Sequence, residues 1–352
     1  MRRKNSGFSL SVAAALAALF AISGCATGHR TAAKGDSDSI EERAPIISDD
    51  PVERSELNAP DAPEPPEEAH AGAPVAAAEW DPAAKICLVL GPGMARGFAH
   101  AGILEAVVES GLKPYCIVGS EMGALVGALY ALNTSTNTLQ WQLFKLKKEI
   151  YLDFPLFSLK EKLASGEKLH KFLEENFGQR RIAELKIPFS VAVTDSTSGE
   201  SVMLRDEVVA EAIGASLALP AVFRGKELGA KGFFMSGSAS SPLPIKEALD
   251  LGATHVIAVD LLSDNFGVPR TGGAVAEIAK QYVVARNLSK FQKTETPFLI
   301  VPDLRNFSFT DFDKRVEIVS VAKRAAAEAL ARIRASMRAP ASLPPAAEEK
   351  QP

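Results

Sequence analysis

The sequence predicts an α/β domain of three layers, with helices on both faces of a mainly parallel central sheet and a small helical cap. From about Lys85 to Arg338, short β-branched apolar runs alternate with stretches of helical period. Twice such a run breaks at a glycine-rich turn that opens straight into a helix, at residues 91–97 and 119–123. The chain has 352 residues, 47% of them hydrophobic, and a net charge of -4. That is enough to bury a sizeable core, and too little positive charge to suggest nucleic acid as a partner.

The strands follow from the apolar runs, in order: Lys85 to Leu90, Tyr115 to Val118, Phe189 to Thr194, Gly232 to Met235, His255 to Asp260 and Phe298 to Val301. Helices are expected over Phe98 to Glu109, Met122 to Leu132, Val208 to Ile213, Ile245 to Leu249, Ala274 to Asn287 and Lys314 to Met337. The cap-like stretch runs from Leu139 to Phe177. No internal repeat is present. Cys87 and Cys116 each fall inside a strand, and two cysteines make a thin framework for a domain of this size. Buried free thiols are the expectation, although export would permit a disulfide.

The flanks are of different composition. Arg2, Arg3 and Lys4 precede an apolar run from Phe8 to Ile22, too short to span a bilayer comfortably, which ends in Ile22-Ser-Gly-Cys25. That ending resembles the lipobox of bacterial lipoproteins. The resemblance implies a signal peptide over residues 1–24 and acylation of Cys25, which becomes the mature N-terminus. It further implies a lipid-anchored place in the cell envelope, and Ala26 after the cysteine favours the outer membrane of a diderm. Several acyl chains on one residue meet the requirement for stable anchoring. Residues 25–80, rich in Ala, Pro, Asp and Glu, read as a disordered tether with a reach on the order of 40 Å. The domain follows over 85–338, and 339–352 reads as a disordered tail.

Two blocks carry the chemistry. Ile86-Cys-Leu-Val-Leu90 leads into Gly91-Pro-Gly-Met-Ala-Arg-Gly97, a turn whose backbone N–H groups, with a helix N-terminus behind them, suit an anion or oxyanion. Some 25 residues later, Tyr115-Cys-Ile-Val-Gly-Ser-Glu-Met-Gly123 has the layout of a nucleophile elbow, in which Gly-x-Ser-x-Gly lifts a serine above a sheet. Gly119 and Gly123 flank the apex as required, but Glu121 stands where the serine belongs, with Ser120 one residue early.

Together these blocks resemble the patatin-like phospholipase family, bacterial branch. There the glycine loop forms the oxyanion hole and the elbow serine is the nucleophile of a Ser/Asp dyad. The likeness continues through Ile187–Asp195, Thr197–Glu200, Ala215–Phe223 and Phe233–Pro244. The last of these matches the block that carries the family's aspartate, which falls on Ser236 here, while the family's asparagine falls on Ser241. The resemblance therefore implies an oxyanion-hole-like loop of Gly91, Gly93, Met94, Arg96 and Gly97, and an elbow of Gly119, Ser120 and Gly123. It also implies a degenerate dyad, Glu121 and Ser236, with no intact catalytic residue.

Removing either member of such a unit costs about 10⁴ to 10⁶ in rate, so the favoured reading is a pseudo-phospholipase that binds a lipid or an envelope protein at the inherited cleft. Glu121 is expected to face the N–H groups of Gly93 and Met94, with Arg96 as charge partner, or else to turn out to solvent. Two alternatives stand beside this reading. One is a working lipid acyl hydrolase whose nucleophile has moved. The other is a dinucleotide-binding protein, with Gly91, Gly93 and Gly97 on the pyrophosphate and Glu121 on a ribose.

Ser238, Ser240 and Ser241 read as turn residues. His100 reads as packed framework, and Asp195 and Asp260 as loop supports. The basic C-terminal helix reads as a solvated face over an alanine stripe. His29, His70, His170 and His255 show no metal-ligand spacing, so neither metal nor cofactor is expected.

Overall fold

The computed structural model describes residues 79–154, 163–263, 266 and 274–338. The expected signal peptide, Cys25, nearly all of the tether and the tail lie outside the described residues, as does the middle of the cap-like stretch.

Eight strands form one sheet: β1 (Ile86–Leu90), β2 (Cys116–Ser120), β3 (Phe189–Asp195), β4 (Ser201–Leu204), β5 (Lys226–Glu227), β6 (Phe233–Ser236), β7 (His255–Val259) and β8 (Phe298–Ile300). The order is β5-β6-β3-β2-β1-β7-β8, with β4 paired to β3. The β3-β2-β1-β7-β8 run is parallel throughout, and the antiparallel pairs gather at β4, β5 and β6. The central strands alternate between two cores, as the pleat requires. Ile86, Leu88 and Leu90 of β1 join Ile117, Ile257 and Val259 in the large core. Cys87 and Val89 point the other way, with Cys116, Val118, Val256 and Ala258, into a smaller one. Both faces are covered, which gives the three layers the apolar runs imply.

The cysteines correct the expectation of free thiols. β1 and β2 pair in a register that sets Cys87 directly opposite Cys116, and a disulfide joins them at a Cα separation of 4.6 Å. The pleat decides this: each cysteine is the residue of its strand that faces the smaller core at that row. Neither strand reveals the register on its own.

The helices are α1 (Ala99–Glu109), α2 (Met122–Asn133), α3 (Thr136–Lys145), α4 (Lys148–Tyr151), α5 (Glu167–Phe177), α6 (Val209–Leu217), α7 (Ile245–Asp250), α8 (Ala274–Gln292) and α9 (Arg315–Arg338). The cap-like stretch is thus three helices in its described parts. Ser135 caps α3 by accepting from the Thr138 N–H. α9 lies along α1 and buries Ala322, Ala326 and Ala329, while Lys323 reaches Glu105 and Glu109. β4 and β5 were not read from the sequence. They are short and partly exposed, with no alternation strong enough to mark them.

One detail of the sheet positions the site. β4 takes one edge of β3, while β2 and β6 share the other edge end to end. β2 pairs with β3 as far as Ser120 opposite Ala192; there it turns away, and β6 takes over with Ser236 opposite Val193. The chain leaving β2 is the glycine-flanked turn at Glu121, and the chain leaving β6 is the loop after Ser236, where the resemblance sets the family's aspartate. Sheet pairing therefore brings both ends to adjacent rows of β3.

Candidate functional site

Glu121 sits between β2 and α2 with φ 53° and ψ -119°, a left-handed conformation that a side chain adopts only under constraint. The constraint is visible around it. Gly123 lies so close to β1 that a Cβ there would fall onto the Leu90 carbonyl oxygen, and a Cβ on Gly97 would collide with the Met122 side chain. The Glu121 N–H donates to Ser216 Oγ at 2.8 Å, and Ser216 Oγ donates to the Ala192 carbonyl, also at 2.8 Å. Ser216 thus satisfies the β3 acceptor left at the handover from β2 to β6.

The side chain is fully buried. Glu121 Oε2 accepts the N–H of Gly93 at 2.6 Å and that of Met94 at 3.1 Å, and Oε1 accepts the Tyr151 hydroxyl at 2.6 Å. Three donors on a buried carboxylate offset its desolvation, and two of them are backbone groups fixed in place. Met94 is itself held at φ 46°, so the loop aims consecutive N–H groups at one point. The carboxylate does face the loop, and it does not rotate out to solvent.

The remaining loop residues divide by role. The Gly91 N–H is committed to the Val259 carbonyl, and the Gly91 carbonyl pairs with His100 Nε2 at 2.8 Å. His100 is wholly buried, and desolvation lowers its pKa to about 4, against the opposing Gly91 hydrogen bond. Arg96, expected as a charge partner, instead donates to the Phe307 and Leu261 carbonyls and lies over the Phe309 ring at 4.4 Å. Only Gly93 and Met94 present their N–H groups to Glu121.

Two tyrosines were not read from the sequence. Tyr151 closes over Glu121, and its hydroxyl is pushed well above the usual tyrosine range, first by burial and then by the Glu121 charge. Its ring packs against Phe223 and Phe312. Tyr282, on α8, is raised by the same two causes; its hydroxyl feels Glu121 but is not aligned for a hydrogen bond. The chain has four tyrosines, and two of them serve this carboxylate. That scarcity was the one available signal.

Ser236 is fully buried, and its Oγ pairs with Ser238 Oγ at 2.9 Å. Ser240 bonds Thr194 at 2.7 Å, and Ser241 lies between Glu247 and Gln292. Ser120 Oγ is buried without a hydrogen-bond partner. None of these hydroxyls has a base as its partner except Ser241, which donates to Glu247 at 3.2 Å and also accepts from Gln292 at 2.8 Å. Asp195 accepts the N–H groups of Thr197 and Ser198 in a turn, and Asp260 is paired with Lys293 at 2.6 Å. As a chemical device, the site is an oxyanion-type donor pair already occupied by a carboxylate from its own chain. A pyrophosphate on the same loop would have to displace that carboxylate.

Comparison with known proteins points to one family. The family description "Patatin-like phospholipase" matches residues 88–249, which span the glycine loop, the elbow and the Ser236 block. The chain is 30% identical over 186 residues to an uncharacterized NTE family protein of Mycobacterium tuberculosis, covering 53% of this chain and 51% of that protein. It is 31% identical over 188 residues to patatin-like phospholipase domain-containing protein 7 of Rattus norvegicus, covering 50% of this chain and 13% of that one. The chain thus spans about half the length of the mycobacterial relative. Among solved structures, VipD from Legionella pneumophila aligns with a TM-score of 0.49 at 14% identity, over 73% of this chain and 68% of that one. From its glycine loop to the block at Ser236, the chain belongs to the patatin-like phospholipase family.

Proposed function

We propose that this chain is a non-hydrolytic member of its family, a pseudo-phospholipase held at the cell envelope by acylated Cys25, whose fold serves binding in place of turnover. The observation that carries the reading is the pair of bonds from the Gly93 and Met94 N–H groups to Glu121 Oε2. Acyl transfer needs those donors free for the developing oxyanion, and it needs an activated nucleophile at the apex. Here the apex residue is a carboxylate that fills the donors, and Ser236 brings a hydroxyl where the family has an acid.

The deciding experiment restores both groups with Glu121→Ser and Ser236→Asp. On a short-chain ester, wild type and both single variants are expected to be silent and the double variant to turn over. Turnover by wild type, or covalent labelling of any of its serines by a fluorophosphonate, overturns the reading. The anchor is tested separately: palmitate incorporation in the producing bacterium is expected in wild type and lost in Cys25→Ala.

A further inference from the structure

A second face of the molecule is built for contact. α3 presents Trp141 and Phe144 outward at 69% and 58% exposure, with ring centroids 6.3 Å apart, and Val316 at the start of α9 stands beside them at 74%. Between α1, α3 and α9 runs a groove of about 310 Å³, whose apolar lining includes Phe98, Phe144, Val316 and Val319. Large aromatic side chains this exposed, and this close together, mark an interaction surface.

The charges around it identify the occupant. Lys145, Lys147 and Lys148 follow Phe144 directly and are exposed, and none has an ion-pair partner among the described residues. Arg315, at the groove's edge, lies over the rings of Phe144 and Phe98. Acids are present too: Glu105 and Glu109 are engaged with Lys323, and Asp311 with Lys314, while Glu149, next to Lys148, and Asp313 and Glu317, flanking the start of α9, are exposed. Three lysines within four residues, with no ion-pair partner among the described residues, gather positive charge beside an exposed Trp/Phe pair. A tryptophan with a phenylalanine, backed by lysines, matches the apolar-to-polar gradient of a bilayer interface with anionic headgroups.

We propose that this face, Trp141, Phe144 and Val316 with Lys145, Lys147 and Lys148, docks on an anionic phospholipid surface. Trp141 and Phe144 enter the acyl boundary and the lysines meet the headgroups. This contact is additional to any acyl anchor and independent of whether the Glu121 site turns over. It lays α1, α3 and the start of α9 against the membrane.

The test uses the full chain carrying Trp80→Phe, so that Trp141 is the only emitter. Vesicles are phosphatidylcholine alone or three parts phosphatidylcholine to one part phosphatidylglycerol, each with and without brominated acyl chains. With anionic vesicles, Trp141 emission is expected to shift blue and to be quenched by bromine. Replacing all three lysines by glutamine weakens binding on the order of a hundredfold, from about fivefold per cation. An N-terminal anchor alone would bring the protein to the vesicle without burying Trp141, so bound protein with unquenched Trp141 overturns the proposal. A blue shift that grows with protein concentration in the absence of lipid also overturns it, because the face then belongs to a protein contact. Phe144→Ala, at an exposed position, is expected to weaken the quench-coupled binding, and Trp141→Ala to weaken co-sedimentation with the anionic vesicles, each with an unchanged unfolding midpoint.

Discussion

At the scale of single residues, the chemistry turns on a carboxylate that serves as its own ligand. If Glu121 holds the Gly93 and Met94 N–H groups, its removal exposes them: Glu121→Ala is expected to bind phosphate measurably by calorimetry where wild type binds none. Unchanged anion binding would show that the loop is closed by something other than this side chain. Tyr151→Phe leaves Glu121 one donor short in a dry site, and about 1–3 kcal/mol of stability should disappear in a urea titration. His100 predicts a pH effect with a definite sign. Its pKa falls from 6.5 in the unfolded chain to about 4 in the fold, so between those values the unfolded state binds the extra proton. Stability therefore drops as pH falls from 6.5 towards 4, by up to about 1.4 kcal/mol per pH unit from this group. His100→Gln should flatten that limb of the stability curve.

At the scale of elements, two strand-to-helix turns and one disulfide do the positioning. The elbow keeps φ 53° at Glu121 because Gly123 admits the backbone of β1, and Ser216 occupies the gap where β2 yields to β6. The disulfide ties β1 to β2 across 29 residues of chain, a loop whose closure is worth about 3–4 kcal/mol. Cys87→Ser with Cys116→Ser, or reduction of wild type, should lower the unfolding midpoint accordingly; an unchanged midpoint would mean the thiols are free. The elements themselves were largely legible. Six of the eight strands announced themselves as short apolar runs, and their bounds differ from expectation by no more than two residues at either end. β4 and β5 escaped because short, half-exposed strands carry no periodic signal. The cap-like stretch was legible as helix-rich, yet its breaks at Leu146 and after Tyr151 are set by packing onto the domain.

At the scale of the whole molecule, the sheet acts as an assembly device. β2 and β6 meet the same edge of β3, and that topology alone brings the Glu121 turn and the Ser236 loop to adjacent rows. The aromatic contacts continue outward from there: Tyr151 packs on Phe312, Phe312 on Phe98, and Phe98 lines the groove beneath Trp141 and Phe144. The closed site and the exposed face thus share one wall.

By itself, the sequence determined the alternation of strands and helices, the two glycine turns and the resemblance that sets Glu121 and Ser236 against the family's dyad, because each is written in neighbouring residues or fixed spacings. Only the tertiary structure decided that Glu121 turns inward, that Tyr151 and Tyr282 attend it, that Cys87 meets Cys116, and that Arg96 looks elsewhere. Those outcomes depend on register and on which surfaces meet, and residues far apart in the chain carry no local trace of the partner that packing will give them.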